Sequence, residues 1–345
     1  MKHSIIIPTA GRPMAIKAAI HSLLQVSPQT CDAEIIIVDN NTSQALSDDL
    51  QAYCDTLKNQ VRYVREPSPG LSAARHRGVA ESNSEWLTFL DDDVEISNSW
   101  LSAIQNAFAE SEVALIGGPS IPKFTGSIPA WFWDYLAPTP YGGWMCGWLS
   151  LLDIGRDVPN INPNFIWGLN FSIRRVVIEN CGGFHPDLVP MELQRWQGDG
   201  ETGLTMKIKE AGYRTDYVNN ALVLHLCGPD RLNIDYFKKR AYFQGVCNSF
   251  SQIRAGQAPL SGVPKSVSPP FYQKVNRFMR TIWKRPQGQP SSWTIESSEI
   301  KKLTDQANQD GWLFHQHEVA ADPELLAWVC RKNYLDTNIF EKIDK

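Results

Sequence analysis

Residues 86–93 read WLTFLDDD, an apolar run that passes directly into three consecutive aspartates. The apolar part predicts a buried strand, because strands covered by helices on both faces are continuously hydrophobic. Adjacent carboxylates repel one another unless hydrogen bonds or a cation compensate, and Mg²⁺ and Mn²⁺ prefer such oxygen ligands. We therefore predict a metal site at the end of this strand. The alternative is a solvated turn that caps a helix beginning near Ser97.

Short apolar runs alternate with helical patterns before this stretch. Further strands are predicted at 4–8, 34–39 and 61–65, and helices at 13–25, 44–57 and 71–81. This alternation is typical of an α/β fold with a mostly parallel sheet, in which ligands bind beyond the carboxyl ends of the strands.

The pattern is less regular after residue 118. Residues 119–164 are rich in Pro, Gly and Trp and predict a long functional loop or lid. Later elements are predicted as strands at 165–174 and 221–226, helices from 175, at 201–211 and from 235, linkers at 255–270 and 286–292, and a helical C-terminal segment.

The composition of the chain limits the kinds of protein to which it can belong. The 345 residues are 43% hydrophobic and 20% charged, which is typical of a soluble globular protein, and the net charge of -4 gives no reason to expect a nucleic-acid partner. Seven cysteines without a CxxC pair suit a reducing compartment. Because no apolar run approaches the roughly 20 residues that span a bilayer, we expect a cytoplasmic location, with any membrane contact peripheral.

Seven motifs follow one another over about the first two thirds of the chain. They read IIIPT at 5–9, IIVDN at 36–40, GLSAAR at 70–75, FLDDD at 89–93, WGLN at 167–170, GGF at 182–184 and ETGL at 201–204. In these motifs and in their order the chain resembles the family 2 glycosyltransferases. The resemblance implies the GT-A fold, a Rossmann-like sheet flanked by helices, with a mainly helical C-terminal extension. It also implies inverting, metal-dependent transfer from a nucleotide sugar, with a UDP-sugar expected, to a carbohydrate or lipid-linked acceptor in surface polysaccharide or glycan synthesis.

The resemblance also implies residues for the donor. Asp39 is similar to the carboxylate that reads the uracil ring, Pro8 and Thr9 would shape the same pocket, and Arg75 would lie near the nucleotide at a helix N-terminus. A strand-end turn with the following asparagines is the alternative for Asp39.

The metal, Mn²⁺ or Mg²⁺, has its own predicted ligands. Asp93 is similar to the family's principal metal ligand and Asp91 to the residue that contacts ribose or metal, while Asp92 is grouped with the donor. His225, at the end of an apolar strand, resembles the ligating histidine of many GT-A enzymes. A core histidine is the alternative.

Inverting transfer needs a carboxylate that takes the proton of the acceptor hydroxyl. The resemblance places Glu201 at that position, with Asp199 as second candidate because Gly200 stands where the family has an acid. A plain helix-dipole contact is the alternative for Glu201. His76 also departs from the family, which more often has Asn there.

Acceptor contacts are predicted at Trp167, Gly168 and Asn170. Trp131 and Trp133, in the aromatic region, would stack on sugar rings or simply pack beneath a lid.

The predicted domains are a catalytic domain at 1–255 and an extension at 256–345. The catalytic domain divides into a nucleotide half at 1–93, an acceptor half at 94–228 and a closing helix at 229–255. An amphipathic basic helix at 271–285 would lie on an anionic membrane or pack on the body.

Two other functions are compatible with the sequence. A nucleotidyltransferase should carry a glycine-rich basic loop after the first strand, of which PTAGRP at 8–13 is a poor version. A non-catalytic sugar-binding protein is indicated by Gly200.

Overall fold

The computed structural model describes residues 2–26, 33–57, 60–257 and 295–335. The chain divides into two compact units: the first holds Met1–Ser120, Arg156–His225 and Arg331–Lys345, and the second holds Ile121–Gly155 and Leu226–Cys330. This division differs from the predicted boundaries at 93, 228 and 255, because separated stretches of chain build each unit.

Strands and helices alternate in the first part of the chain as predicted. The strands are β1 His3–Thr9, β2 Ala33–Asp39, β3 Arg62–Arg65, β4 Trp86–Leu90, β5 Val94–Ile96, β6 Val113–Gly117, β7 Ser120–Phe124, β8 Ala137–Pro138, β9 Trp144–Cys146, β10 Leu151–Asp153, β11 Asn170–Arg174, β12 Arg214–Tyr217 and β13 Val223–Cys227. The α-helices are α1 Pro13–Val26, α2 Gln44–Thr56, α3 Leu71–Glu81, α4 Trp100–Ala109, α5 Arg175–Cys181, α6 Gly200–Glu210, α7 Ile234–Arg254, α8 Ile295–Ala321 and α9 Pro323–Val329.

The first unit is built on a seven-stranded sheet in the order β12-β6-β11-β4-β1-β2-β3. β1 is parallel to β2 and β4, β2 is parallel to β3, and β11 runs antiparallel to β4 and β6. Every residue of β1 is buried, as expected of a central strand covered on both faces. Because β1, β2 and β4 are parallel, Thr9, Asp39 and the acidic run lie at one edge of the sheet.

The prediction of an irregular loop at 119–164 is wrong, because that region contains β7 to β10. These strands have two to five residues each, too few for an alternating pattern to be recognised in the sequence. The strand predicted at 165–174 begins only at Asn170, since a 3₁₀ turn at Pro163–Phe165 precedes it. The side chain of Asn162 caps that turn by accepting a hydrogen bond from the backbone N of Asn164.

The second unit combines short antiparallel strands with long helices. β9 pairs with β8 and β10, and α7 packs along α8. A buried polar group fixes the register of the two helices: the Oγ of Ser249 lies 2.7 Å from Nδ1 of His315 and accepts from Nε2 of Gln316 at 3.0 Å.

The C-terminal part is helical as predicted, through α8 and α9. The basic helix predicted at 271–285 and the linker predicted at 286–292 lie outside the described residues, as does most of the linker at 255–270. Among the helices of the described ranges, none is long and apolar enough to cross a membrane.

Candidate active site

The three carboxylates of the acidic run point into three different environments at the end of β4. Asp91 is 29% exposed, and its Oδ1 accepts a hydrogen bond from Nη2 of Arg75 at 3.2 Å. Asp92 and Asp93 are both buried. Adjacent residues in an extended or turning chain cannot all face one way, so the run divides into separate contacts.

Asp92 is held from two sides. Its Oδ2 accepts from the hydroxyl of Thr9 at 2.5 Å, and its Oδ1 lies 2.6 Å from Nη2 of Arg12. Burial raises the pKa of Asp92 to about 7; Arg12 opposes that rise and the neighbouring Asp93 adds to it. Thr9, predicted to shape the donor pocket, therefore has a direct partner in the acidic run.

Asp93 lies between a guanidinium and an imidazole. Its Oδ2 pairs with Nη1 of Arg12, and its Oδ1 lies 3.4 Å from Nε2 of His225. The antiparallel pairing of β13 with β5 sets His225 opposite Val94, the residue after Asp93. The two predicted metal ligands, distant in sequence, are therefore neighbours in the structure.

The side chains around Asp93 suit a cation that the protein holds only in part. Among residues 2–26, 33–57, 60–257 and 295–335, no three His, Cys, Asp or Glu side chains converge to hold a metal ion by themselves. A carboxylate and an imidazole are nevertheless ligands that Mn²⁺ accepts, and Mg²⁺ or Mn²⁺ at transfer sites commonly completes its shell with substrate phosphates. The residues fit such an ion at Asp93 and His225, whereas Asp91 faces Arg75.

Arg75 connects the acidic run with the predicted base. Its side chain is 2% exposed, and Nη1 lies 3.7 Å from Oε2 of Glu201. The guanidinium lies over the ring of Phe184 at 4.8 Å, a cation–π contact. Gly168 makes room for it, because a Cβ at that position would lie 2.9 Å from the Cζ of Arg75.

Glu201 is accessible at the first turn of α6. Its side chain is 27% exposed, and its Oε1 accepts from the backbone N of Gly168 at 3.4 Å. This combination leaves the carboxylate able to meet a hydroxyl group that enters from solvent.

Asp199 has a different environment from Glu201. It precedes α6, and its Oδ1 lies 2.5 Å from Nδ1 of His185, with both side chains almost completely buried. Gly203 allows this pairing, since a Cβ there would meet both His185 and Asp199. No local sequence signal marks His185 as this partner, because the two residues lie 14 positions apart on different elements.

Asp39 is fully buried at the end of β2. It accepts hydrogen bonds from the hydroxyl of Tyr63 at 2.6 Å and from the backbone N and side-chain amide of Asn41 at 2.9 and 2.6 Å. Burial opposes ionisation, but these hydrogen bonds outweigh it and leave the pKa of Asp39 below its ordinary value. Nη1 of Arg65 is a further neighbour, 3.2 Å away. The strand-end turn with Asn41, weighed as the alternative, is present.

Two of the predicted acceptor residues serve the packing of the protein. The amide of Asn170 is buried; it accepts from Nε1 of Trp100 at 3.0 Å and donates to the carbonyl of Ala221 at 2.8 Å. Trp131 is buried in the second unit, edge-on to Phe237 with ring centroids 4.9 Å apart. These contacts favour the packing interpretation over sugar stacking.

The acceptor contacts predicted for Trp167 and Trp133, and the place of Pro8 in the donor pocket, stay predictions. Trp167 is half-buried, and its Nε1 donates to the carbonyl of Asn164 at 3.1 Å. Trp133 is half-buried in the second unit, against Phe132. Pro8 lies within β1, opposite Val38 of β2.

His76 is part of the core. Its Nε2 accepts a hydrogen bond from the backbone N of Phe184 at 3.0 Å. Burial, with the nearby Arg75 second, lowers the pKa of His76 to about 3. The departure from the family's Asn therefore provides a neutral acceptor beneath Phe184.

Comparison with known proteins decides the family. The model of Glycosyl transferase family 2 matches residues 4–182, more than half of the chain. The chain belongs to glycosyltransferase family 2.

Curated relatives of this family 2 protein are longer chains. Polypeptide N-acetylgalactosaminyltransferase 3 of Mus musculus is 30% identical over 207 residues, which cover 53% of this chain and 32% of the relative. The pre-mycofactocin glycosyltransferase of Mycobacterium tuberculosis is 23% identical over 250 residues, which cover 70% of this chain and 46% of the relative. The chain thus spans less than half of the length of either relative.

Solved structures confirm the GT-A fold. The mannosyltransferase PcManGT from Pyrobaculum calidifontis, solved in complex with GDP-Man and Mn²⁺, gives a TM-score of 0.52 at 14% identity, covering 95% of this chain and 87% of its own. GalNAc-T7 with UDP, GalNAc and Mn²⁺ gives a TM-score of 0.50 at 16% identity, covering 94% and 57%. The resemblance read from the motifs is therefore confirmed for family and fold.

Proposed function

We propose that this family 2 enzyme transfers a sugar from a UDP-sugar to a carbohydrate or lipid-linked acceptor with inversion, in a reaction that depends on Mn²⁺ or Mg²⁺. The observation that carries the proposal is the chain of contacts from Asp91 through the buried guanidinium of Arg75 to Glu201. It joins the acidic run, on the donor side, to an accessible carboxylate at the start of α6.

The reaction is a single displacement. Glu201 accepts the proton of the acceptor hydroxyl while that oxygen forms a bond to the anomeric carbon, and the bond from that carbon to the diphosphate oxygen breaks. Asp93 and His225 would hold the divalent cation, which when bound neutralises charge on the departing diphosphate. Attack opposite to the leaving group inverts the configuration of the sugar.

Asp199 is better suited to support this arrangement than to act as the base. Its side chain is committed to His185 at 2.5 Å and shielded from solvent. Glu201 combines exposure with a position at the end of the contacts that lead from the acidic run through Arg75.

The proposal also names the nucleobase of the sugar donor. The two solved neighbours hold different nucleotides, GDP-Man in the mannosyltransferase and UDP in GalNAc-T7. We favour UDP because Asp39, whose counterpart reads uracil in the resembled family, stands at the end of β2 in register with Thr9. Its buried carboxylate would have to exchange one of its present donors for the base.

A donor panel tests the proposal. The protein is incubated with UDP-, GDP- and dTDP-sugars, Mn²⁺ or Mg²⁺ and a set of sugar and lipid-linked acceptors, and release of nucleotide diphosphate is followed. UDP release that requires acceptor and is abolished by EDTA is expected. Release of pyrophosphate instead would identify a nucleotidyltransferase, and binding without release a non-catalytic sugar-binding protein.

We also propose a cytoplasmic location with peripheral contact to an anionic membrane surface. Its support is the sequence at 271–285, where five basic residues and no acid accompany an apolar helical stripe. Co-sedimentation with anionic liposomes should decrease with salt and be lost when the chain is cut after Ala255. Binding that survives the cut contradicts this part.

A further inference from the structure

Arg12 makes a forked contact with the two buried carboxylates of the acidic run. Nη2 lies 2.6 Å from Oδ1 of Asp92, and Nη1 pairs with Oδ2 of Asp93. One guanidinium thus supplies positive charge to both carboxylates, the compensation that adjacent buried acids require.

Arg12 reaches these carboxylates from the solvent side. Its side chain is 42% exposed, whereas the Arg75 side chain is 2% exposed. Arg12 stands on the short segment between β1 and α1, next to Gly11, which has a positive φ of 73° and open space around it. The guanidinium can therefore leave the carboxylates without disturbing the core.

A divalent cation at Asp93 would compete with this contact. The ion would share the Asp93 carboxylate with Arg12, which pairs with Oδ2 while His225 faces Oδ1, and two cations on one carboxylate repel each other. A guanidinium binds a phosphate in the same forked geometry as a carboxylate, so a diphosphate is its natural second partner.

We propose that Arg12 is an exchangeable counter-cation, which holds Asp92 and Asp93 in the metal-free protein and moves to the donor's diphosphate when a divalent ion binds Asp93. The inference rests on the proposed function for its second half, since it needs a diphosphate at this site.

Metal and nucleotide binding are then positively coupled. A cation that arrives alone must displace Arg12 and leave it without a new anion, so its affinity is low. With a nucleoside diphosphate present the guanidinium gains a partner, and the cation binds more tightly. Linkage is reciprocal, so the cation tightens nucleotide binding by the same factor.

Calorimetric titration tests the exchange on the full chain without turnover. Mn²⁺ is titrated alone and with saturating UDP or GDP, into wild type, Arg12→Gln, Arg12→Lys and the control Lys17→Gln. Lys17 lies in α1 and pairs with Asp49, away from the acidic run. The probes are Mn²⁺ and the free nucleotides, so no acceptor has to be known.

The variants should separate clearly. Arg12→Gln is expected to bind Mn²⁺ alone about 10-fold more tightly than wild type, and to lose most of a coupling of about 10-fold between Mn²⁺ and nucleotide. Arg12→Lys, which keeps the charge but lacks the planar fork of the guanidinium, should lie between them, and Lys17→Gln should match wild type. Melting curves recorded in EDTA establish that each variant is folded.

Mn²⁺ binding by Arg12→Gln that is no tighter than that of wild type overturns the inference. If that variant does not fold, Arg12→Lys and the wild-type coupling decide, and a wild type without coupling overturns it. A wild type that binds neither UDP nor GDP contradicts the proposed function and the diphosphate half of the inference, while the titration with Mn²⁺ alone still tests the competition at Asp93.

Discussion

Replacing Glu201 by glutamine preserves the size of the side chain and removes its ability to accept a proton. Glutamine can keep the contact with the backbone N of Gly168, now 3.4 Å from Oε1, and the side chain is 27% exposed. The free energy of unfolding should therefore change by no more than about 0.5 kcal/mol. Loss of a general base should lower kcat by about 10²- to 10⁴-fold, or about 3–5 kcal/mol in the barrier.

The matched variant Asp199→Asn should lose stability and keep its turnover, the reverse of Glu201→Gln. Asn keeps an oxygen that can face His185, now 2.5 Å away, but removes the charge from a buried contact. We expect a loss of about 1–3 kcal/mol in the free energy of unfolding. Well below its melting temperature this variant should retain most of its turnover.

Three measurements separate the two variants. Release of nucleotide diphosphate gives kcat, calorimetry with UDP and Mn²⁺ gives donor affinity, and urea unfolding gives stability. Glu201→Gln should bind donor almost as wild type does. The base assignment is refuted if Glu201→Gln keeps more than about a tenth of the wild-type kcat, and the role moves to Asp199 if Asp199→Asn is stable and inactive.

Three further perturbations have defined outcomes. Gly168→Ala would put a Cβ 2.9 Å from Cζ of Arg75. This overpacking should lower the free energy of unfolding by about 1–3 kcal/mol, measured by urea unfolding, and should lower kcat in the turnover assay. His76→Gln should make the free energy of unfolding less dependent on pH. The pKa of His76 is about 3 in the folded protein and 6.5 in the unfolded chain, so the wild type loses stability as the pH falls below 6.5. The loss should reach about 2 kcal/mol by about pH 5. His225→Ala should weaken Mn²⁺ binding in the presence of UDP by about 10-fold or more in calorimetry, because it removes the proposed second ligand beside Asp93.

Each of these has a control elsewhere in the chain. Gly147→Ala adds a Cβ with nothing within 4 Å and should leave stability and kcat unchanged. His21 is exposed, so His21→Gln should leave the stability and the Mn²⁺ binding of the protein as in wild type. A Gly168→Ala protein with normal kcat, a His76→Gln protein with the wild-type pH slope, or unchanged Mn²⁺ affinity in His225→Ala would contradict the corresponding contact.

Local patterns carried the prediction of the sheet. β1 and β2 are continuous apolar runs, and α3 occupies the predicted residues Leu71–Glu81. Such elements can be predicted because their buried residues form a regular hydrophobic pattern along a contiguous stretch of sequence. β8, β9 and β10 were missed because two or three residues contain no period.

Long-range contacts set the roles of individual side chains. The hydrogen bond from Thr9 to Asp92 joins residues 83 positions apart, and Arg12 reaches Asp93 across 81 positions. No periodicity or spacing announces such pairs. The same holds for Asn170, whose motif predicted an acceptor contact and whose amide is consumed by Trp100 and Ala221.

The family, the parallel strands and the position of the acidic run at a strand end can be read from the chain alone, because they depend on contiguous residues and on motifs in order. The division of the run comes from the folded contacts: Asp91 faces Arg75, Asp92 faces Thr9 and Arg12, and Asp93 faces Arg12 and His225. A carboxylate takes its role from the charges and donors around it, and folding brings those from distant parts of the chain.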